Sequence, residues 1–197
     1  MEINQIVNAV KNKGYTVFEG DNEPYNLNIV GVRSNDPVVN KFNDIMYVFW
    51  KYEGRWNMIQ MQCTTMPGLH WLLKPINPKG CAILKEGQYK SCWKLDLHRG
   101  KYKALCQRNG KVTVFRDDDE DREYDLIEGK EMTGMYGINI HRASATRELN
   151  SVDKNSAGCQ VIQDPREFAI FVSILEASAE VWGNKFTYTL INEDDIN

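Results

Sequence analysis

The sequence predicts an α+β fold in which a β-rich body carries one helix at the N-terminus and a second helix late in the chain. Three observations predict it. Apolar residues recur at helical spacing over residues 2–13. From residue 15 onward, short runs rich in β-branched and aromatic residues alternate with turn residues. A helix-start signal then precedes an amphipathic segment at 165–182. Strands at this spacing indicate a mixed or antiparallel sheet.

The N-terminal segment, residues 1–14, has the pattern of a short amphipathic helix. Gly14 follows its last turn and is a favourable helix end. Its apolar face is formed by Ile3, Ile6, Val7 and Val10. We expect this helix to cover one side of the sheet formed by the β-rich body, residues 15–197.

The β-rich body contains several short segments of strand composition, each bounded by turn residues. Glu53-Gly54 lies between two of them and predicts a hairpin. Turn sequences at 65–68 and 77–80 enclose an apolar segment at 69–73, which is predicted as a further strand. The other predicted strands are residues 27–32, 45–52, 56–63, 112–115, 136–140 and 186–191.

The second helix, residues 165–182, has clear start and end signals. Asp164 is a favourable N-cap, Pro165 occupies the first helical position, and Glu167 completes a capping box. Gly183 ends the helix. Its predicted inner face consists of Phe168, Phe171, Val172, Leu175, Ala179 and Trp182. Because no repeat or linker divides the chain, residues 1–197 are predicted to form a single domain.

Composition and charge argue against several classes of protein. Apolar residues make up 42% of the chain and charged residues 26%, which is ordinary globular usage. A net charge of -3 and a pI near 5.7 disfavour nucleic acid as a partner. No apolar stretch approaches the length of a membrane-spanning helix, so we expect no membrane span. The first residues lack the features of a signal peptide, which predicts synthesis in the cytoplasm.

The five cysteines are odd in number and lack C-x-x-C spacing, which argues against a zinc ribbon and against a fully paired disulfide framework. Four of them lie within or beside strand-like runs and are predicted to be small buried hydrophobic residues: Cys63, Cys81, Cys92 and Cys106. Cys159 differs from them in its context.

One segment combines a histidine and a cysteine in an order that suits nucleophilic catalysis. A predicted strand leads into His141, and Ser156-Ala157-Gly158-Cys159 begins fifteen residues later. Cysteine attacks as a thiolate, which a nearby histidine and turn amides favour. Gly158 permits a sharp turn that would let the amides of Gly158 and Cys159 converge on an oxyanion. We predict Cys159 as nucleophile and His141 as base; the alternative for His141 is a structural role at a strand end.

This pattern resembles the catalytic signature of the L,D-transpeptidases: a histidine, fourteen intervening residues, Ser-x-Gly-Cys, a helix and a closing strand. The predicted hairpin and the Thr/Pro/Gly loop at 64–68 also resemble that family, so the similarity extends over residues 27–191. The resemblance implies a sandwich or a mixed sheet for the β-rich body. It also implies that Cys159 accepts the acyl group, that His141 is the general base, and that Ser156 is the serine that opens the motif.

The chain departs from the family pattern at two positions. Ala157 stands where the family usually has a second histidine, and Val161 stands where it usually has an arginine. The contribution of the missing imidazole would have to come from elsewhere. The candidate supporting residues for the site are His98, Arg142 and Asn155.

The resemblance implies an enzyme that attacks a peptide carbonyl in peptidoglycan stem peptides, forms a thioester on Cys159, and passes the acyl group to an amine or to water. No cofactor is required for this chemistry. The absent signal peptide and the altered motif favour cleavage by a phage-type wall enzyme, released or delivered to the wall, over cross-linking. Two alternatives stay open: a cysteine hydrolase or acyltransferase on a non-wall substrate, and a binding module in which Ala157 marks lost catalysis.

A second segment has carboxylates at the spacing of a calcium-binding loop. Carboxylates stand at alternating positions, Asp117, Asp119, Asp121, Glu123 and Asp125, and the twelfth residue, Glu128, is also acidic; the candidate ligands are Asp117, Asp119, Asp121, Asp125 and Glu128. The sixth position, where such loops have glycine, is Arg122, which hinders the turn and brings a positive charge to the site. A structural calcium site and a solvated acidic loop are therefore the two interpretations.

Overall fold

The computed structural model describes residues 2–196, so Met1 and Asn197, at the ends of the predicted domain, lie outside the description. The described chain is α+β and consists mostly of strands. Its α-helices are α1 (Ile3–Asn12), α2 (Leu69–Leu72) and α3 (Pro165–Trp182). Its strands are β1 (Asn28–Arg33), β2 (Asp44–Tyr52), β3 (Arg55–Thr64), β4 (Cys81–Leu84), β5 (Gly87–His98), β6 (Tyr102–Gln107), β7 (Val112–Asp117), β8 (Met132–Gly134), β9 (Ile140–Arg142), β10 (Gln160–Ile162) and β11 (Phe186–Asn192).

Eight of the strands form a closed barrel in the order β1-β11-β5-β6-β9-β10-β3-β2, and β4, β7 and β8 form a separate small sheet. Parallel pairs, β1 with β11 and β9 with β10, occur among antiparallel ones, as expected for a mixed sheet. The predicted sandwich is wrong. The three-residue strands β9 and β10 bridge the gap between β6 and β3, through Leu105 opposite Ile140 and through two pairs with β3, and this closes the ring.

The hairpin and the N-terminal helix predicted from the sequence are confirmed. Strands β2 and β3 pair along their length around Glu53 and Gly54, both of which have positive φ. Helix α1 lies on the outside of the barrel, against β1, β2 and β11. Its buried side chains join a separate apolar cluster: Ile6, Val7, Ala9 and Val10 with Val30, Val32, Tyr47, Phe49 and Ile191.

Helix α3 has the predicted bounds, N-cap and C-cap, but within the described residues Glu167 does not complete the predicted capping box. The Asp164 side chain accepts a hydrogen bond from the Arg166 amide at 2.7 Å, and Gly183 is the C-cap. The helix buries Phe168, Phe171 and Leu175 in the main core cluster together with barrel residues. Trp182 does not belong to the inner face, because the barrel no longer covers the last turn of the helix. It is 44% exposed and its indole N–H donates to the Pro24 carbonyl.

Two predicted strands differ in the structure. Four of the five residues of the segment at 69–73 form the single-turn helix α2, because the Gly68 amide is bound by the Ser156 carbonyl and the Leu69 amide by the Asn40 side chain. The strand predicted at 136–140 begins only at Ile140. Before it, the side chain of Gln107 accepts hydrogen bonds from two amides of the segment, which takes the place of a strand partner.

A buried polar network connects the barrel to the end of β4 and to the short loop between β4 and β5. The Arg33 guanidinium, only 3% exposed, contacts the Thr65 hydroxyl, the Leu84 carbonyl and, at 2.6 Å, the Glu86 carboxylate. Asp44 in turn accepts hydrogen bonds from the amide and hydroxyl of Thr65. All donors of this network therefore have partners inside the fold.

No helix within residues 2–196 is long and apolar enough to cross a membrane.

Candidate active site

The turn at 156–159 places Cys159 directly before β10. Gly158 has φ +118°, and a Cβ atom there would lie 2.2 Å from the Ala82 carbonyl oxygen. The Ser156 hydroxyl donates to the Cys159 carbonyl at 2.8 Å and accepts from the Gly158 amide at 3.2 Å. Ser156 therefore fixes the turn. The Gly158 amide, predicted to face an oxyanion, is occupied by this bond.

Cys159 is the half-buried member of the five cysteines. The other four are buried, as predicted, and none of the five forms a disulfide. A cleft of about 410 Å³ opens beside Cys159. Cys159 is therefore the thiol with the best access for a ligand.

Strand pairing brings Cys159 and His141 to the same face of neighbouring strands. In the parallel pair of β9 and β10, His141 lies opposite Val161 and Ile140 opposite Gln160. Side chains alternate along a strand, so Cys159 and Val161 share the face of His141. Ile140 and Gln160 are fully buried on the other face. The two predicted catalytic residues are thus diagonal neighbours.

The thiol of Cys159 is hydrogen-bonded to a backbone carbonyl and not to His141. It donates to the Gly137 carbonyl at 3.6 Å, and within residues 2–196 it makes no hydrogen bond to His141. Burial raises the pKa of the thiol, against smaller lowering effects of the Asn139 amide and the Arg99 guanidinium. At neutral pH Cys159 is therefore protonated, and a thiolate would have to form during attack.

His98 and His141 form a stacked pair beside this thiol. Their ring centroids are 4.2 Å apart at 30°. Burial lowers the pKa of His141 to about 3 and that of His98 to about 4; for His141 the neighbouring His98 adds to the effect, and for both Arg99 does so. Both rings are consequently neutral at pH 7, so each carries its proton on one nitrogen only.

Hydrogen bonds hold the two rings in opposite tautomers. The Arg142 carbonyl lies 2.9 Å from Nδ1 of His141, and a carbonyl only accepts, so Nδ1 is protonated and Nε2 has a free lone pair. Asn139 accepts a bond from the Gln107 amide through Oδ1, which turns its Nδ2 donor toward Nδ1 of His98 at 3.1 Å. Nε2 of His98 therefore carries the proton.

Two adjoining clefts border this histidine pair. The cleft of Cys159 is also lined by Asn139 and Ala157. A second cleft of about 190 Å³ contains His141 and the other two predicted supporting residues, Arg142 and Asn155. His98 and Arg99 line both clefts. The structure thus places Cys159 and the three predicted supporting residues on the clefts that border the histidine pair, but Cys159 and His141 face different clefts.

Sequence reasoning missed Asn139 and Arg99. Asn139 stands two residues before His141 and therefore on the same face of the chain, a signal that strand alternation provides. Arg99 lies in the turn between β5 and β6. Its position beside Cys159 depends on the pairing of distant strands, so no local pattern identifies it.

The acidic segment does not converge on one point. Asp117 is buried at the end of β7, whereas Asp119, Asp121 and Glu128 are exposed and Asp125 is half-buried. Among residues 2–196, no group of three or more His, Cys, Asp or Glu side chains has an arrangement that could hold a metal ion. The calcium loop stays a prediction from the sequence, and a comparison of melting temperatures in calcium and in chelator would test it.

Asp117→Asn is expected to stabilise the protein at pH 7. Burial, and then repulsion from Asp125 and other carboxylates, raises the pKa of Asp117 to about 6, and its Oδ1 has no hydrogen-bond partner in the described chain. A raised folded-state pKa means that stability is greatest below about pH 4 and is lost as pH rises through about 6. Urea unfolding should show that the substitution raises the free energy of unfolding by about 1–3 kcal/mol at pH 7 and changes it little at pH 4.

The exposed neighbour Asp118 provides the control for this experiment. Asp118→Asn should leave the pH dependence of unfolding unchanged. If the Asp117→Asn protein had the same stability as wild type at both pH values, the charge of the buried Asp117 carboxylate would not destabilise the fold.

The chain matches no family model, and comparison with curated proteins and with solved structures gave no significant match. Function must therefore be inferred from the chemistry of the site itself.

Proposed function

We propose that this protein is a cysteine-nucleophile acyl-transfer enzyme that forms a thioester on Cys159. The observation that carries the proposal is the pair of neutral imidazoles held in opposite tautomers beside the thiol. His141 offers a lone pair on Nε2 and His98 offers a proton on Nε2. A base and an oxyanion donor are the two groups that acyl transfer by cysteine requires.

The reaction begins when the thiol turns from the Gly137 carbonyl toward His141. Sγ forms a bond to the substrate carbonyl carbon while its proton passes to Nε2 of His141. The C–N bond then breaks, and His141 returns the proton to the leaving amine. Water or a second amine attacks the thioester, again losing its proton to Nε2, and the Sγ–carbon bond breaks to restore the thiol. Water gives cleavage, and an amine gives cross-linking.

His98 would supply what the absent histidine at position 157 supplies in L,D-transpeptidases. Its Nε2–H is the donor for the developing oxyanion, and Arg99, which lines the same cleft as Cys159, adds a positive charge. Asn139 is a positioning residue that acts through the tautomer of His98.

The proposed substrates are peptidoglycan stem peptides, on the strength of the motif that resembles the L,D-transpeptidases. Cleavage is proposed over cross-linking, as in a phage-type peptidase that reaches the wall by release or delivery. A muropeptide assay that yields cross-linked dimers without released fragments would overturn this preference.

The test is incubation with defined muropeptides, with products and covalent adducts detected by mass spectrometry. Wild type should give new stem peptides and a thioester adduct, and Cys159→Ala should give neither. His141→Gln should lower kcat/KM by about 10²–10⁴, and His98→Gln should lower kcat by about 10²–10³ with little change in KM. His70→Gln is the matched control, because His70 lies on α2 outside both clefts.

The pH profile provides an independent readout. With the pKa of His141 at about 3, the base stays neutral and the rate should not fall between about pH 8 and pH 5. An ordinary imidazole would lose half its activity near pH 6.5. Product formation by Cys159→Ala, or equal losses in the His70 and His141 variants, would contradict the mechanism.

A second candidate function is a wall- or peptide-binding module without catalysis. The observation that favours it is the state of the Cys159 thiol: burial raises its pKa, and it donates a hydrogen bond to the Gly137 carbonyl. In that case muropeptides would bind equally well to wild type and to Cys159→Ala, and no adduct would form with either.

A further inference from the structure

Five cationic side chains line the two clefts on either side of the histidine pair. We call the two adjoining clefts together the cationic cleft. Its cationic residues are Arg99, Lys101, Arg116, Arg142 and Lys154. Within the described part of the chain, residues 2–196, no aspartate or glutamate lines either of the two clefts. The concentration of positive charge contrasts with the net charge of -3 of the whole chain.

None of these five cations forms an ion pair with a carboxylate of residues 2–196. The carboxylate next to Lys154 in sequence, Asp153, is bound by the side chains of Ser151 and Asn40 and lines a neighbouring depression. Lys154 still lowers the pKa of Asp153 through its charge, so the three arginines carry the part of the positive charge for which the described fold has no paired carboxylate.

Two of the guanidinium groups are held in place by aromatic rings. Arg142 lies 4.2 Å from the ring centroid of Tyr102, on the His141 side of the cleft. Arg116 lies 4.8 Å from that of Tyr136, on the Cys159 side, and donates to the Gly80 carbonyl at 3.0 Å. Stacking fixes the plane of a guanidinium while its remaining N–H groups stay free to bind.

We propose that the cationic cleft binds a terminal oxyanion of the ligand, a carboxylate or a phosphate group, next to the carbonyl that Cys159 attacks. The inference deepens the proposed function and takes from it the role of Cys159. Planar guanidinium groups bind such oxyanions through paired hydrogen bonds, and their charge does not titrate. The two histidines are neutral at pH 7, so binding of a carboxylate should be independent of pH near neutrality, whereas a phosphate group, whose second pKa is about 6, should bind more tightly as pH rises through that value.

Alkylation of Cys159 by iodoacetate and by iodoacetamide tests the proposal directly. The two reagents have the same reactive carbon, and only iodoacetate carries a carboxylate. A change in the pKa of the thiol affects both rates equally, so their ratio reports the attraction for the anion. Cys81 also lines this cleft but is only 4% exposed, and the remaining three cysteines are buried and do not line it; peptide mapping by mass spectrometry assigns the label to Cys159, and Cys159→Ala should show little labelling.

We expect the iodoacetate-to-iodoacetamide rate ratio to be about 5–25-fold higher for the protein than for a cysteine peptide. Arg116→Gln and Arg142→Gln should each lower it by about 2–5-fold, and salt should lower it further. Arg55→Gln is the matched control, since Arg55 is exposed and lines neither cleft. An unchanged iodoacetamide rate in the variants would show that the thiol environment is intact.

Protection of Cys159 from iodoacetamide by acetate or by inorganic phosphate distinguishes the two oxyanions. Stronger protection by acetate supports a carboxylate ligand, and stronger protection by phosphate supports a phosphorylated one. A peptide-like rate ratio that the arginine variants leave unchanged, with protection by neither anion, overturns the inference. That result would not bear on whether the protein transfers acyl groups from muropeptides. Conversely, a raised iodoacetate-to-iodoacetamide ratio without muropeptide turnover would reject the proposed function and leave the anion site in place.

Discussion

Gly158→Ala is expected to lower the free energy of unfolding by about 3–5 kcal/mol, from strained backbone and steric overlap together. The residue has φ +118°, a conformation that side chains with a Cβ rarely adopt, and the new methyl group would lie 2.2 Å from the Ala82 carbonyl oxygen. Ala82 is in β4, so the clash pushes the small sheet away from the turn that carries Cys159. Urea unfolding followed by circular dichroism measures the loss.

Gly100→Ala separates the two causes of this loss. Gly100 has φ +70° but no atom within 4 Å of the position of a Cβ, so only backbone strain of about 1–2 kcal/mol is expected. If Gly158→Ala cost no more than Gly100→Ala, the close approach of the turn to Ala82 would be disproved. We also expect faster and less selective alkylation of cysteines in the Gly158 variant.

Arg33→Ala is expected to lower the free energy of unfolding by about 3–5 kcal/mol, because it removes the buried cation of an ion pair with the half-buried Glu86 together with hydrogen bonds to buried acceptors. The Glu86 carboxylate loses its only cation within 4 Å in the described chain, and the Leu84 carbonyl and Thr65 hydroxyl lose a donor. These groups join β1 to the ends of β3 and β4. The variant should therefore loosen the small sheet as well as the barrel, which hydrogen exchange of β4 amides would detect.

The pair of Lys85 and Glu131, whose cation is far less buried than Arg33, is the control. Its lysine is 37% exposed, and solvent screens such pairs, so Lys85→Met should cause a far smaller loss than Arg33→Ala. Arg33→Lys keeps the charge but cannot reach three acceptors at once, and an intermediate loss is expected. Equal losses for Lys85→Met and Arg33→Ala would show that burial of Arg33 does not matter.

Elements with local signals were predictable from the sequence. Helix α3 has its N-cap at Asp164 and its C-cap at Gly183, and the β2–β3 hairpin has its turn at Glu53-Gly54. The closed barrel was not predictable, because β9 and β10 contain only three residues each and show no periodicity. Their pairing is decided by tertiary contacts. Helix α2 was missed because distant groups at Ser156 and Asn40 fix its start.

The site was predictable where its members are close in sequence. Ser156, Gly158 and Cys159 form one turn, and His141 stands on the neighbouring strand, as their order suggested. The carbonyl that orients His141 comes from the next residue, Arg142, and the sequence did not single it out. The cationic cleft draws on strands, turns and loops far apart in the chain, so only the folded structure reveals it.

The parallel pairing of β1 with β11 has a consequence for folding. Residues 29–33 find their partners at residues 188–192, among the most distant contacts that the described chain contains. Contacts of such high sequence separation slow folding, because a long loop must close before they form. A nascent chain on the ribosome therefore holds β1 and β5 with unpaired edges until β11 has emerged. We expect chaperone dependence and aggregation to concentrate in this interval of synthesis.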